Sequence, residues 1–221
     1  MISKNSGLVI FDYDGVLVDS RDSIIQSSNT FCKIHDIENR ITHETLAQLD
    51  PATFLNIARH ANVPEVMIQA YAKYLSHQLR ANLGSTPIFP GVPRMIRIVG
   101  QYYMMDIISA NHTSVIEKRL QRSYLLNSFD IIFGNEHAGS KVDHIRYAMD
   151  RTGFIPERTW MIGDTVSDID SALSTDIHAL AATWGWQSKS FLGSRNPEKI
   201  FDRPAEVLDY LTKLAKQCSV I

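Results

Sequence analysis

Short, continuous apolar runs recur along the chain, and each is followed by a stretch in which apolar residues return every three or four positions. The runs fall at Leu8–Phe11, Met104–Ile108, 129–133, 159–162 and 179–182. They are partly β-branched or aromatic and do not alternate with polar residues. A strand that is apolar on both faces belongs in a sheet covered on both sides, as parallel sheets are. Between the runs, Ile116, Leu120 and Tyr124 keep helical spacing, as do Val207, Leu208, Leu211 and Leu214. Strand alternating with helix predicts a doubly wound α/β fold, a Rossmann-like parallel sheet.

One interval departs from that rhythm. From Asp19 to Ser85 only helical patterns occur. Asp50-Pro51 reads as an N-cap followed by proline at the first helical position. Pro64 opens a further helix in which Met67, Tyr71, Tyr74 and Gln78 or Leu79 share a face. An all-helical block inserted after the first strand reads as a second module. The expected division is therefore a catalytic core of residues 1–18 and 86–221 and an inserted helical domain of residues 19–85. The return connection, residues 84–93, carries prolines at 87, 90 and 93 and glycines at 84 and 91, the composition of a hinge. No internal repeat and no low-complexity segment interrupts the pattern.

Composition narrows the function classes. The 221 residues lie between one domain and two, and the 44% hydrophobic content supports a sizeable core. Basic and acidic side chains nearly balance, 22 against 24, which argues against a nucleic-acid partner. Cys32 and Cys218 lie far apart without metal-site spacing and read as reduced thiols. The polar first residues, and the lack of any long apolar run, predict neither a signal peptide nor a membrane span, hence a soluble cytoplasmic protein with no membrane partner.

Candidate chemistry sits at two strand ends. The first run leads into Asp12-Tyr13-Asp14-Gly15, and ligands of open α/β sheets bind beyond the carboxyl ends of the strands. The fourth leads into Gly163-Asp164-Thr165-Val166-Ser167-Asp168, where a helix starting near Asp164 brings two carboxylates to one side. Acidic side chains converging on one edge repel unless a cation offsets them. Oxygen ligation by a few carboxylates with room for water suits Mg²⁺ better than zinc.

These residues, in this order, resemble the motifs of the haloacid dehalogenase superfamily, in its phosphatase branch with a helical cap inserted after the first motif. The resemblance spans nearly the whole chain. It rests on Asp12-Tyr13-Asp14-Gly15-Val16, on Ile107-Ile108-Ser109-Ala110-Asn111, on Lys141 within Gly139-Ser140-Lys141-Val142-Asp143, and on Gly163-Asp164 through Asp168. It implies Asp12 as a nucleophile that takes up the phosphoryl group and Asp14 as general acid and then base. It further implies Mg²⁺ held by Asp12, Asp164 and the backbone carbonyl of Asp14. Ser109, with Asn111 and Lys141, would bind the phosphoryl group of a small phosphorylated metabolite, and Asp168 would orient Lys141 or a metal-bound water. Two departures from the family pattern stand out: Val142 replaces a common proline, and Ser174-Thr175-Asp176 replaces Ala-Gly. Aspartate is expected to serve there as a left-handed helix stop.

Retention of Asp14 favours phosphate esters or anhydrides over dehalogenation within that superfamily. A phosphoglycolate phosphatase-like hydrolase is the first expectation, with pyrophosphatases and phosphomutases of the β-phosphoglucomutase type as alternatives. The mutase is disfavoured because residues 21–28 contain no histidine. A catalytically silent binding module is a further alternative. His112 is expected at a helix start, and Trp184 and Trp186 in packing or at the cleft's lip. Arg40, His43, Lys73, His77 and Arg80 are the candidates for contacting a leaving group.

Overall fold

The computed structural model describes residues 6–38, 40–81 and 86–218 of the 221. Strands β1 (Leu8–Phe11), β2 (Met104–Ile108), β3 (Ile131–Phe133), β4 (Thr159–Gly163), β5 (His178–Ala182) and β6 (Lys199–Phe201) form one sheet in the order β3-β2-β1-β4-β5-β6. Every neighbouring pair is parallel. The sheet is built as the continuous apolar runs predict. All four residues of β1 are buried, Val9 and Phe11 in the apolar cluster on one face and Leu8 and Ile10 in the cluster on the other. The first face is covered by α5 (Val92–Val99), α6 (Thr113–Arg122) and α10 (Pro204–Cys218). The second is covered by α7 (Lys141–Thr152), α8 (Val166–Leu173) and α9 (Lys189–Gly193).

Four helices, α1 (Arg21–Ile34), α2 (His43–Ala47), α3 (Phe54–His60) and α4 (Ile68–Ala81), lie between β1 and α5. They enclose an apolar cluster of their own, centred on Ile24, Phe31, Leu46, Ile57, Tyr71 and Leu75. The chain leaves the sheet and returns to it side by side. Val18 bridges Ile88 antiparallel, Asp19 N–H donates to the Pro87 carbonyl (2.9 Å), and Phe89 N–H donates to the Leu17 carbonyl (3.1 Å). Gly84 and Ser85 of the expected hinge lie outside the described residues.

Several local expectations change. Asp50-Pro51 does not open a helix; its peptide bond is cis, and α3 starts three residues later under Thr53, whose hydroxyl accepts from Asn56 N–H. Pro64 precedes a 3₁₀ turn, Glu65–Met67, that runs into α4. The buried stripe of α4 is Ile68, Tyr71, Leu75 and Leu79, so Tyr74 and Gln78 sit at its margins. Tyr124 does not continue the face of α6: it follows the helix with φ 55° and is 90% exposed. The third strand is shorter than its apolar run because Phe129 and Asp130 precede the ladder. The run 199–201 that forms β6 opens on an exposed lysine, which hides a three-residue edge strand from a search for continuous apolar stretches. Asp176 does take the left-handed conformation, with φ 58°.

Candidate active site

The sheet order reverses direction at β1, since β2 and β3 lie on one side of it and β4 to β6 on the other. The carboxyl ends of β1 and β4 therefore border the crevice where such sheets take ligands. Asp12, the residue after β1, is held there by its N–H to the Ile162 carbonyl (2.9 Å). Asp164 follows β4, and the turn at Gly15, with φ 82°, brings the first loop against it. A side-chain carbon at Gly15 would lie 2.0 Å from Asp164 Oδ2.

Asp168 is the third residue of α8 and closes a capping box with Thr165. Its Oδ2 accepts from the Thr165 N–H (3.0 Å) and hydroxyl (2.7 Å). Its Oδ1 faces the Lys141 ammonium, which also donates to Asp12 Oδ1 (3.2 Å). Lys141 is the first residue of α7, whose own capping box pairs Ser140 with Asp143. Two capped helix starts thus deliver Lys141 and Asp168 to the same point. Burial works against the charged ammonium, but Asp12 and Asp168 outweigh it and raise the affinity of Lys141 for its proton.

The carboxyls pull the other way. Burial, with Asp168 and Asp14 adding to it and Lys141 opposing it, pushes Asp12 up to about 7. Burial beside Asp12 and Asp168 raises Asp164 well above the ordinary carboxylate range. One oxygen of Asp164, Oδ1, is buried with no hydrogen-bond partner among the described residues. Asp12, Asp164 and Asp168 each place a carboxylate oxygen within 4.8 Å of the others. A buried acidic oxygen without a donor requires either a proton or a cation. Because both oxygens of Asp168 are engaged, the donor set left for a hard divalent cation is Asp12 and Asp164.

Asp14 stands apart from this cluster. Burial is the largest cause raising its pKa, and Asn111 Nδ2 donates to its Oδ2 (3.1 Å). The segment after β2 positions that amide: Ser109 N–H donates to the Phe133 carbonyl (2.9 Å), Ser109 Oγ accepts from Asn111 N–H (3.1 Å), and Asn111 Oδ1 accepts from His112 N–H (2.8 Å). His112 caps α6, as expected of a helix start, and also borders the site.

These side chains share a cavity of about 250 Å³ lined by Asp12, Asp14, Ser109, Asn111, Lys141 and Asp168. The helical block contributes Thr53, Phe54, Ser76, Leu79 and Arg80 to its opposite wall. Of the five basic candidates only Arg80 lines it; His43 instead pairs with Asp22 (3.0 Å) on the surface.

Sequence reasoning missed the contribution of residues 185–187. A side-chain carbon at Gly185 would sit 2.3 Å from Asp164 Cβ and 2.5 Å from the Gly15 carbonyl oxygen. Trp186 N–H donates to Asp164 Oδ2 (2.7 Å), and its ring lies in the cluster of the helical block. The available signal was a glycine between two tryptophans after a strand, which marks close backbone approach. Trp184 has a different partner, the Val16 carbonyl (3.1 Å).

A sequence profile described as "Haloacid dehalogenase-like hydrolase" matches residues 9–182. The chain belongs to that family. Among curated proteins it is 26% identical over 210 residues to a phosphoglycolate phosphatase of Synechococcus elongatus, covering 95% of this chain and 99% of the relative. It is 25% identical to a pyrophosphatase of Bacillus mycoides, covering 93% and 97%. A haloacid dehalogenase-like hydrolase of Streptococcus pneumoniae superposes with a TM-score of 0.81 at 26% identity, over 92% of this chain and 97% of that one. Among the described residues no helix is long and apolar enough to cross a membrane.

Proposed function

We propose that this chain, a hydrolase acting on phosphate esters, removes phosphate from a small acidic metabolite through a phosphoryl group carried on Asp12. The observation that carries the reading is the pair of carboxyls on one loop: Asp12 against Lys141, and Asp14 held off by Asn111. One supplies a nucleophile and the other a proton.

In the first step Asp12 attacks phosphorus, the bond to the leaving oxygen breaks, and the carboxyl proton of Asp14 goes to that oxygen. In the second, Asp14 as carboxylate takes a proton from water, whose oxygen attacks phosphorus. The bond to Asp12 then breaks and inorganic phosphate leaves. Mg²⁺ held by Asp12, Asp164 and the Asp14 backbone carbonyl would supply positive charge against which a carboxylate can approach a phosphate dianion. Lys141 offsets charge on Asp12 and on the transferring group, and Asp168 fixes Lys141. Ser109 uses its lone pair on Asn111 N–H, which leaves its hydroxyl proton for a phosphoryl oxygen. Asn111 would line the phosphoryl pocket while orienting Asp14.

Residues 19–85 act in this reading as a cap over the leaving group. Arg80, beside Phe54 and Leu79 on the cap wall, favours a leaving group with its own negative charge. The phosphoglycolate phosphatase and pyrophosphatase relatives are named for substrates of that kind. A screen of small phosphates with Mg²⁺ tests this. Phosphate release should be more efficient from 2-phosphoglycolate or pyrophosphate than from hexose phosphates. Interconversion of hexose 1- and 6-phosphates with little net phosphate release would establish the mutase instead, and inertness toward every ester would return the silent binding module.

A further inference from the structure

The helical block touches the core at a third place besides its two covalent connections. Gln187 is 1% exposed and spans the junction. Its Oε1 accepts from Val166 N–H at the start of α8 (2.5 Å), and its Nε2 donates to the Leu49 carbonyl of the helical block. A backbone N–H on one side and a carbonyl on the other fix which end of the amide is which. Ser188 N–H donates to the Ala47 carbonyl (3.0 Å), and Arg195 pairs with Asp50 (2.8 Å) and Asp170 (3.3 Å). One residue before Gln187, Trp186 sends its ring into the block's apolar cluster and its N–H to Asp164 Oδ2. The backbone that meets the block is thus the backbone that holds Asp164.

We propose that Gln187 is a positioning residue: it couples the docked position of the helical block to the geometry of Asp164 through the Trp186–Gln187 backbone, so that docking and divalent-cation binding favour each other. The inference rests on the reading of Asp164 as a cation ligand. Leu49 and Asp50 directly precede Pro51, Ala52, Thr53 and Phe54, which line the cavity, so the same junction carries the leaving-group wall. A buried amide satisfied at both ends holds such a junction in one arrangement, because losing either partner strands a buried polar group.

Two measurements test it without relying on turnover. In Gln187→Met, of nearly equal volume but without the amide, Mn²⁺ affinity read by electron paramagnetic resonance well below the melting temperature should fall. Losing a partner of a ligating group typically costs about 10–100-fold in metal affinity, and because Gln187 acts one step further out, through the Trp186 backbone, the expected fall is about 10-fold. Unchanged Mn²⁺ affinity in a folded variant overturns the proposal. Because coupling is reciprocal, the wild-type chain gives the second readout whether or not the variant folds. Adding Mg²⁺ should slow hydrogen exchange in residues 47–54 as well as beside Asp164. Protection confined to residues 12–15 and 164–168 overturns the coupling. If Mg²⁺ binds with the predicted protection yet no phosphate ester is cleaved, the proposed function fails and the coupling stands. Cleavage with no response in residues 47–54 is the reverse result.

Discussion

Asp12 and Asp14 lie two residues apart on one loop yet meet different surroundings. Asp12 faces Lys141, whereas Asp14 faces an amide and is raised mainly by burial rather than by the neighbouring carboxylates. The proton needed for the leaving group is thus kept by burial, on a side chain that faces Asn111 rather than Lys141. Asp14→Asn should lower kcat on alkyl phosphates by about 10²–10⁴-fold, the usual worth of general acid–base catalysis. With p-nitrophenyl phosphate, whose leaving group needs no proton, the variant should instead give a rapid burst and slow turnover in stopped-flow absorbance. The wild-type rate on alkyl phosphates should fall as pH rises through the raised pKa of Asp14, since the acid is then lost. A variant as fast as wild type on both substrates would remove Asp14 from the mechanism.

At this scale much was legible. Asp-x-Asp-Gly after one apolar run and Gly-Asp after another identify the strand ends, because carboxylates at the carboxyl edge of a parallel sheet have few purely structural uses. The Trp186 ring takes the expected place, packed against the helical block and at the cavity, but the roles of its backbone, of Gly185 and of Gln187 were not legible. Their work is done by backbone atoms and by an amide that joins a backbone N–H and a carbonyl far away in sequence, and side-chain type carries no mark of that.

Among elements, the tie between α7 and β2 shows how the sheet's interior is held. Asp106, completely buried in β2, receives two hydrogen bonds from the Arg151 guanidinium (2.9 and 2.8 Å) and one from Ile131 N–H (3.1 Å). Arg151→Met should destabilise the fold by about 3–5 kcal/mol in urea unfolding, because a buried carboxylate loses its partner. Replacing Asp106 as well, by Asn, should recover part of that loss. A loss below about 1 kcal/mol in the single variant would show that Asp106 is neutral or hydrated in the fold. The sequence conceals this pair, since a lone aspartate inside an apolar run reads as a defect in the strand. Elements were legible where the apolar period is sustained, as in α10, or where motif spacing called for a helix, as in α8. They were misread where a proline or aromatic matched a pattern by chance. Thr53, not Asp50, caps α3, and Tyr124 follows α6 rather than extending it, because tertiary contacts decide between local signals of similar strength.

Across the whole molecule, the buried carboxyl cluster links stability to pH and metal. Asp12 rises from its ordinary 3.8 to about 7, and Asp164 is raised as well. Between about pH 4 and 7 the cation-free folded chain therefore binds more protons than the unfolded one. The part of the stabilisation contributed by Asp12 is full below about pH 4 and is lost as pH rises through about 7. Mg²⁺ bound as proposed would take the place of the protons, so it should raise the melting temperature more at pH 7.5 than at pH 5. At 100 times its dissociation constant a ligand contributes about 2.7 kcal/mol. An equal rise at both pH values in a calorimetric scan would contradict the reading of Asp12 and Asp164 as its ligands. The α/β architecture, the parallel sheet and the helical block after β1 were readable because both-face burial and helical period repeat over many residues. The third attachment of that block, through Gln187–Leu49 and Ser188–Ala47, was not.

The central claim is a phosphoryl group on Asp12. It is tested most directly by trapping. The Asp14→Asn variant, mixed with p-nitrophenyl phosphate and Mg²⁺ and quenched in acid within one turnover, should yield a peptide containing Asp12 heavier by one phosphoryl group. Hydroxylamine should remove that group, as it does from acyl phosphates, and Asp12→Asn should show neither label nor turnover. Label on any other residue, or undiminished turnover by Asp12→Asn, would contradict the account.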